Sequence, residues 1–420
     1  MQEERSLTSY VDPLIGSGGH GHVFVGANVP FGMVQLGPTS IPQEWDWTSG
    51  YHASDSTVIG FSHTHLSGTG IGDLFDVTVM PVTGAVEYAR GGEDVPGSGL
   101  WSYADRSREK AVPGYYSVPL TRYGITAELT ATARVGMHRY TFPASDSAAI
   151  VFDLENGGCW DRTVDCGFDI HGDRAVSGYR FSSGWADDQR VYFYAEFSKP
   201  FSSYEISENG MYARFSFKTE ENERILMKVA LSPVSEDKAE ANMAAELSGW
   251  DFDSVAVAAD DAWNRELSKI RISTDNESRK RIFYTALYHT MIAPSLFCDA
   301  DGGYRGTDKL VHGDEGFVNY TTFSLWDTYR AAHPLMTIIH PEKVPDMINT
   351  MLAIYRQQGK LPVWHLMGCE TNCMVGNPGI PVVADAVLKG FGGFDRKSAY
   401  EALVNSAMVA DRGQQYRMEY

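Results

Sequence analysis

Three segments of the sequence combine residue types that could do chemistry. The first, Leu361-Pro362-Val363-Trp364-His365-Leu366-Met367-Gly368-Cys369-Glu370-Thr371-Asn372-Cys373-Met374-Val375-Gly376, sets one carboxyl among apolar and sulfur-bearing neighbours. Burial there would keep Glu370 protonated near neutral pH, as a general acid requires. The same glutamate could instead cap the next helix or pair with an arginine. The second, Phe323-Ser324-Leu325-Trp326-Asp327-Thr328-Tyr329-Arg330, puts an aromatic ring beside an acid. That pair can grip a sugar by stacking on its C–H face and accepting from adjacent hydroxyls. A core indole with an aspartate in the first helical turn reads equally well from the residues.

The third segment, Gly60-Phe61-Ser62-His63-Thr64-His65-Leu66-Ser67-Gly68-Thr69-Gly70-Ile71-Gly72-Asp73, carries two histidines that a strand would place on one face, with Asp76 close behind. A His-x-His pair can begin a zinc site, but no third ligand is well placed, and hydrogen-bonding histidines are the alternative. Gly16-Ser17-Gly18-Gly19-His20-Gly21-His22 lacks the spacing and following helix of a phosphate-binding fingerprint, so nucleotide binding is excluded.

Two kinds of element must position these segments. Period-2 alternation in Val191–Phe197 and Met211–Phe217, the apolar run Ala148–Phe152 and the stretch Arg224–Leu231 predict successive strands. Glu155-Asn156-Gly157-Gly158 and Glu208-Asn209-Gly210 punctuate them as turns, and the whole predicts an antiparallel β-sandwich over residues 1–235. Residues 236–272, rich in Ala, Glu and Asp, read as linker helices. Beyond them the period becomes helical. One stripe is Ile282, Phe283, Ala286, Leu287 and Met291; another is Val344, Met347, Ile348, Met351, Leu352 and Tyr355, stopped by Gly359. Two more helices are predicted near 380–389 and 396–411.

Composition narrows the ligand. With 35 Lys+Arg against 54 Asp+Glu the net charge is −19, which disfavours nucleic acid and acidic membranes. No apolar run approaches the roughly 20 residues of a membrane span, and the first residues carry no signal-peptide run. Five cysteines without CxxC spacing signal neither a zinc ribbon nor a fully paired disulfide framework, leaving room for a single disulfide. The 9 Trp and 22 Tyr suit a neutral sugar.

Together with Tyr10-Val11-Asp12-Pro13-Leu14-Ile15-Gly16, Pro30-Phe31-Gly32-Met33-Val34-Gln35 and Val383-Ala384-Asp385-Ala386, these segments resemble glycoside hydrolase family 92, in order over nearly the whole chain. The resemblance implies a β-sandwich followed by an (α/α)6 toroid with the active site at their interface. It implies a calcium-dependent, exo-acting, inverting α-mannosidase whose partner is a mannose-containing glycan. A non-catalytic carbohydrate-binding protein on the same scaffold is the alternative. Residue by residue, it implies Glu370 as the acid, Trp326 and Asp327 as contacts to the terminal sugar, and Trp47, His63 and His65 as contacts from the sandwich. A periplasmic or extracellular location follows from the resemblance alone.

Inversion needs two carboxyls about 6.5–9.5 Å apart. The family's base lies in a Gly-Asn-Asp-Asp-like motif, whereas Gly376-Asn377 here runs into Pro378. About four or five helices fit after residue 270, against the twelve of a toroid. The expectation is therefore a partial (α/α)6 domain over 273–420, cut short, with the base and most calcium ligands beyond Tyr420 and the chain alone inactive.

Overall fold

The computed structural model describes residues 6–408. Two compact units emerge: residues 6–185 with Arg190–Ile292, and Ala186–Gln189 with residues 293–408. An all-β N-terminal region is followed by a helical one.

The β region holds two sheets. One has six strands in the order Gly37–Thr39, Gly60–Ser62, Thr78–Thr83, Ser145–Asp153, Tyr212–Thr219 and Ser203–Ile206. The other has eight and runs from Arg162–His171 at one edge to Lys110–Val112 at the other. Strands with one dry face alternate, as in Tyr115–Leu120, whose even positions are buried and odd ones half-buried. The run Ala148–Asp153 is buried at every position because its strand lies inside the six-stranded sheet and is covered on both faces. Phenylalanines lock the sheets together. Phe152 of the smaller sheet stacks on Phe193 of the larger at 5.7 Å, and Phe215 approaches Phe197 at 5.1 Å.

Three helices extend this unit: Glu236–Glu246, Phe252–Leu267 and Glu277–His289, with Ser235, Asp251 and Asn276 as N-caps. The first buries Ala239 and Met243 against Val135, Met137 and Ala230 of the larger sheet. The helix Glu277–His289 also belongs here, since Tyr288 packs on Trp263 at 4.3 Å and donates to Asn28 Oδ1 at 3.2 Å. Its buried face is Tyr284, Thr285, Leu287 and Tyr288, whereas Ile282 is exposed. The sequence stripe is thus rotated, because tyrosines with hydroxyl partners fill the inner face.

In the second unit the helices Ala332–Ile339, Val344–Gln358, Gly379–Leu388 and Arg396–Met408 are joined by irregular loops and two- and three-stranded ribbons. Val344–Gln358 buries the predicted Val344, Met347, Ile348, Met351 and Leu352 and ends on Gly359 at φ 79°, the left-handed C-cap that glycine adopts freely. The residues expected to prolong the last helix past 408 lie outside the described ones. Among the described residues no helix is long and apolar enough to cross a membrane. All five cysteines are free thiols, so the single disulfide does not form.

Candidate active site

In the second unit a three-stranded sheet brings two of the chemical segments together. Phe323–Ser324 pairs with Trp364–Leu366, which pairs with Cys369–Glu370, so that His365 faces Phe323 on one side and Glu370 on the other. Trp326 and Asp327 lie in the short helix Leu325–Thr328 that follows the first strand directly. The hairpin closes through Met367-Gly368, at φ 50° and 77°, positive values that a tight two-residue turn requires. Thr322 at φ 64°, Asn372 at 50° and Met374 at 74° crowd further strained backbone around the same sheet, and such strain persists only where the surroundings impose it.

The surroundings of Glu370 differ from those predicted. Oε1 accepts from the main-chain N–H of Trp364 and of Asn372, both at 2.9 Å. Oε2 accepts from Val363 N at 2.8 Å and from Gln358 Nε2 at 3.4 Å. Four donors and no acceptor face the group, an arrangement that fits a carboxylate and leaves a carboxylic proton without a partner. The main chain supplies three of the four donors that solvate Glu370. Through these bonds Glu370 ties its hairpin to the end of the helix Val344–Gln358. Lys360, buried nearby, donates to Asn372 Oδ1 at 3.4 Å, and burial holds its ammonium below the usual range while Glu370 pulls the other way. His365 is buried and its pKa is pushed down to about 3, chiefly by desolvation. Cys369 receives the Lys309 ammonium at 3.0 Å, and burial pushes its thiol up.

Trp326 is half-buried with the Arg330 guanidinium 5.0 Å from its ring centre. Asp327 is exposed and accepts from Ser324 Oγ at 2.6 Å through Oδ2, so Oδ1 keeps free lone pairs. Asp385 is paired with Lys389 one helical turn on, at 2.7 Å.

The sandwich candidates separate on burial. The strand ends at Ser62, and both His63 and His65 turn into the core. His63 donates from Nδ1 to the Val77 carbonyl at 2.6 Å and meets His138 Nε2 at 3.0 Å, while Tyr140 lies 2.7 Å from His138 Nδ1. Each neutral ring then has one donor and one acceptor: His138 donates to His63, and Tyr140 donates to His138. His65 donates to the Gln35 carbonyl at 2.8 Å and reaches Thr39 Oγ1 at 3.2 Å. Desolvation pushes both His63 and His65 down to about 4. Every ring nitrogen is engaged and both side chains are buried, and neither histidine belongs to a cluster of three metal-ligating side chains among the described residues. Asp76, close behind them in the sequence, pairs with the buried Arg180 at 2.7 Å.

Trp47 is half-buried, its indole N–H held by Asp55 at 2.7 Å and its ring stacked on His52 at 4.5 Å. The open indole is Trp45, two residues earlier and 52% exposed, which the sequence reading missed. Its edge packs on His22 at 4.2 Å, and Asp46 beside it accepts from His20 at 2.7 Å and His22 at 3.2 Å. The bond from His20 holds Asp46 below the usual carboxylate range.

The chain matches the glycosyl hydrolase family 92 N-terminal domain over residues 10–232 and the family's catalytic domain over residues 238–420, and it belongs to that family. A family GH92 α-mannosidase from Bacteroides thetaiotaomicron, solved in complex with mannoimidazole, is 37% identical with a TM-score of 0.94, over 97% of this chain and 56% of that one. A family GH92 inverting mannosidase from the same organism is 26% identical with a TM-score of 0.84, over 96% of this chain and 56% of its own. An uncharacterized secreted glycosidase of Arthroderma benhamiae is 26% identical over 453 residues, 97% of this chain and 53% of that protein. The chain thus spans about half the length of these relatives.

Proposed function

We propose that this chain contributes the sandwich and the leading helices of an exo-acting α-mannosidase that removes terminal mannose from glycans with inversion, the helices forming part of an (α/α)6 toroid. The observation that carries the reading is the 37% identity and TM-score of 0.94 to an α-mannosidase solved with mannoimidazole. Trp326 and Asp327 contact the terminal sugar in this reading: the indole packs on its C–H face, and Asp327 Oδ1 accepts from its hydroxyls. Glu370 serves the same sheet as the carboxylate that fixes its hairpin. Trp45 offers a stacking surface from the sandwich.

Inversion calls for an acid and a base about 6.5–9.5 Å apart, and the crowd of donors at Glu370 argues for other groups in both roles. Within either unit the described residues hold no cluster of three His, Cys, Asp or Glu ligand atoms within 4.8 Å. A calcium requirement goes with this reading, its ligands being oxygens of carboxylates, main-chain carbonyls and water. A location outside the cytoplasm draws support from the secreted relative. Release of mannose from aryl and natural α-mannosides, measured with and without a calcium chelator, tests the proposal; no release under either condition by the full-length protein would reject it.

A further inference from the structure

The glycine-rich stretch Gly68-Thr69-Gly70-Ile71-Gly72-Asp73-Leu74 is gripped from two sides. From one, Trp45 Nε1 donates to the Gly70 carbonyl at 3.0 Å and Thr48 Oγ1 to that of Thr69 at 3.3 Å. From the other, Trp160 N donates to the Gly72 carbonyl at 2.7 Å and Gly158 N to that of Leu74 at 2.9 Å. The two anchor points explain the glycines. A Cβ on Gly70 would stand 2.6 Å from the Trp45 indole, and one on Gly72 would stand 2.6 Å from Cys159 Cβ. Gly70 and Gly72 are two residues apart, so their Cα atoms are separated by at most about 7 Å, and two tryptophan segments are held side by side on one short loop.

Both indoles stay open to water, Trp45 at 52% and Trp160 at 50% exposure. Among the described residues the Trp160 ring makes no aromatic contact and its N–H no hydrogen bond. Yet its support is rigid. The next residue, Asp161, is buried, accepting from Arg180 at 2.6 Å and Ser182 at 2.9 Å. Past the loop, Leu74, Phe75 and Val77 adopt φ of 72°, 66° and 52°. Such non-glycine residues are retained only where packing dictates it. A large apolar ring offered to solvent from a turn anchored to this strained loop has the properties of a stacking surface: little ordering is left to do on binding, and the ring face matches the C–H face of a sugar. Because the indole asks for no charge, the chain's net charge of −19 does not oppose a neutral ligand.

We infer that Trp160 is a second stacking platform, which receives a sugar residue of the glycan next to the one held at Trp45 and so favours oligosaccharides over single mannosides. The inference rests on the α-mannoside reading above. It is tested by calorimetric titration of methyl α-mannoside and of an α-linked mannotriose into the full chain and its Trp160→Ala, Trp160→Phe and Trp45→Ala variants. Trp160→Ala should weaken mannotriose roughly tenfold, the effect of about 1.4 kcal/mol, and leave methyl α-mannoside unchanged. Trp160→Phe should recover most of the loss, and Trp45→Ala should weaken both ligands. Mannotriose binding unaltered by Trp160→Ala, or an equal loss on both ligands, would overturn the inference while leaving the α-mannoside reading intact. Failure of the unaltered chain to bind either sugar would overturn both.

Discussion

The role given to Glu370 makes a prediction that separates a clamp from an acid. In Glu370→Gln one carboxylate oxygen becomes an amide NH2 and must face donors. Placed at Oε1 it would confront the N–H groups of both Trp364 and Asn372; placed at Oε2 it confronts that of Val363 and the amide of Gln358. The second orientation harms less because the Gln358 bond is long, yet it forfeits both bonds to Oε2, of which the one from Val363 to a charged acceptor is worth about 1.5–3 kcal/mol, and turns the remaining two into neutral bonds of about 1 kcal/mol each. The expected destabilisation is on the order of 3 kcal/mol, confined to the second unit. Urea unfolding followed by far-UV circular dichroism, beside α-mannoside hydrolysis by the full-length protein, measures both consequences. A clamp predicts a lower midpoint and the same fractional loss of rate on aryl mannosides with good and with poor leaving groups. An unchanged midpoint with loss only on poor leaving groups is the signature of a missing general acid and would refute the reasoning.

Asp327→Ala removes an exposed carboxylate whose partner is Ser324, so the unfolding midpoint should hold while a mannose-like inhibitor binds roughly 10–100-fold more weakly, the value of about 1.5–3 kcal/mol for a charged acceptor, as calorimetry would register. Arg180→Met leaves Asp76 and Asp161 buried without their cation and should cost about 3–5 kcal/mol in urea unfolding, one of the largest single losses in the sandwich. His63 and His65 hold pKa values of about 4, below the roughly 6.5 of the unfolded chain, so the unfolded state binds more protons as pH falls. Stability should therefore be fully present above pH 6.5 and drain away between about 6.5 and 4, by about 2 kcal/mol per histidine at pH 5; His138, His289, His333 and His365 are held down by burial in the same way, so His65→Gln should remove about one sixth of that slope, and an unchanged slope would dismiss this origin.

Alternation and turn residues made the strands legible: Ala148–Phe152, Val191–Phe197 and Arg224–Leu231 all fall inside strands of the two sheets. The helix Val344–Gln358 was legible for the same reason, a strong stripe and a glycine stop. Where hydroxyl-bearing aromatics do the packing the stripe misled, as at Ile282, because Tyr284 and Tyr288 reach partners at Tyr10 and Asn28 that no local pattern reveals. The same distance in sequence hid the fate of His63 and His65, whose partners Val77, His138, Gln35 and Thr39 lie 14 to 75 residues away. At Glu370 the surroundings were hidden for another reason. Side chains suggested a dry carboxyl, but its solvation comes from main-chain N–H groups, which every residue type carries alike. Trp45 and Trp47 differ only through Gly70 and Asp55, the one leaving an indole open and the other tying it down.

Membership of glycosyl hydrolase family 92 and likeness to solved α-mannosidases bring the central claim down to one reaction and its stereochemistry. Proton NMR of an aryl α-mannoside during the first minutes of turnover by the full-length protein follows the anomeric signal of released mannose before it mutarotates. The account predicts β-mannose as the first product, since a single displacement by water inverts the anomeric carbon. First appearance of α-mannose, or no release of mannose at all, would contradict it.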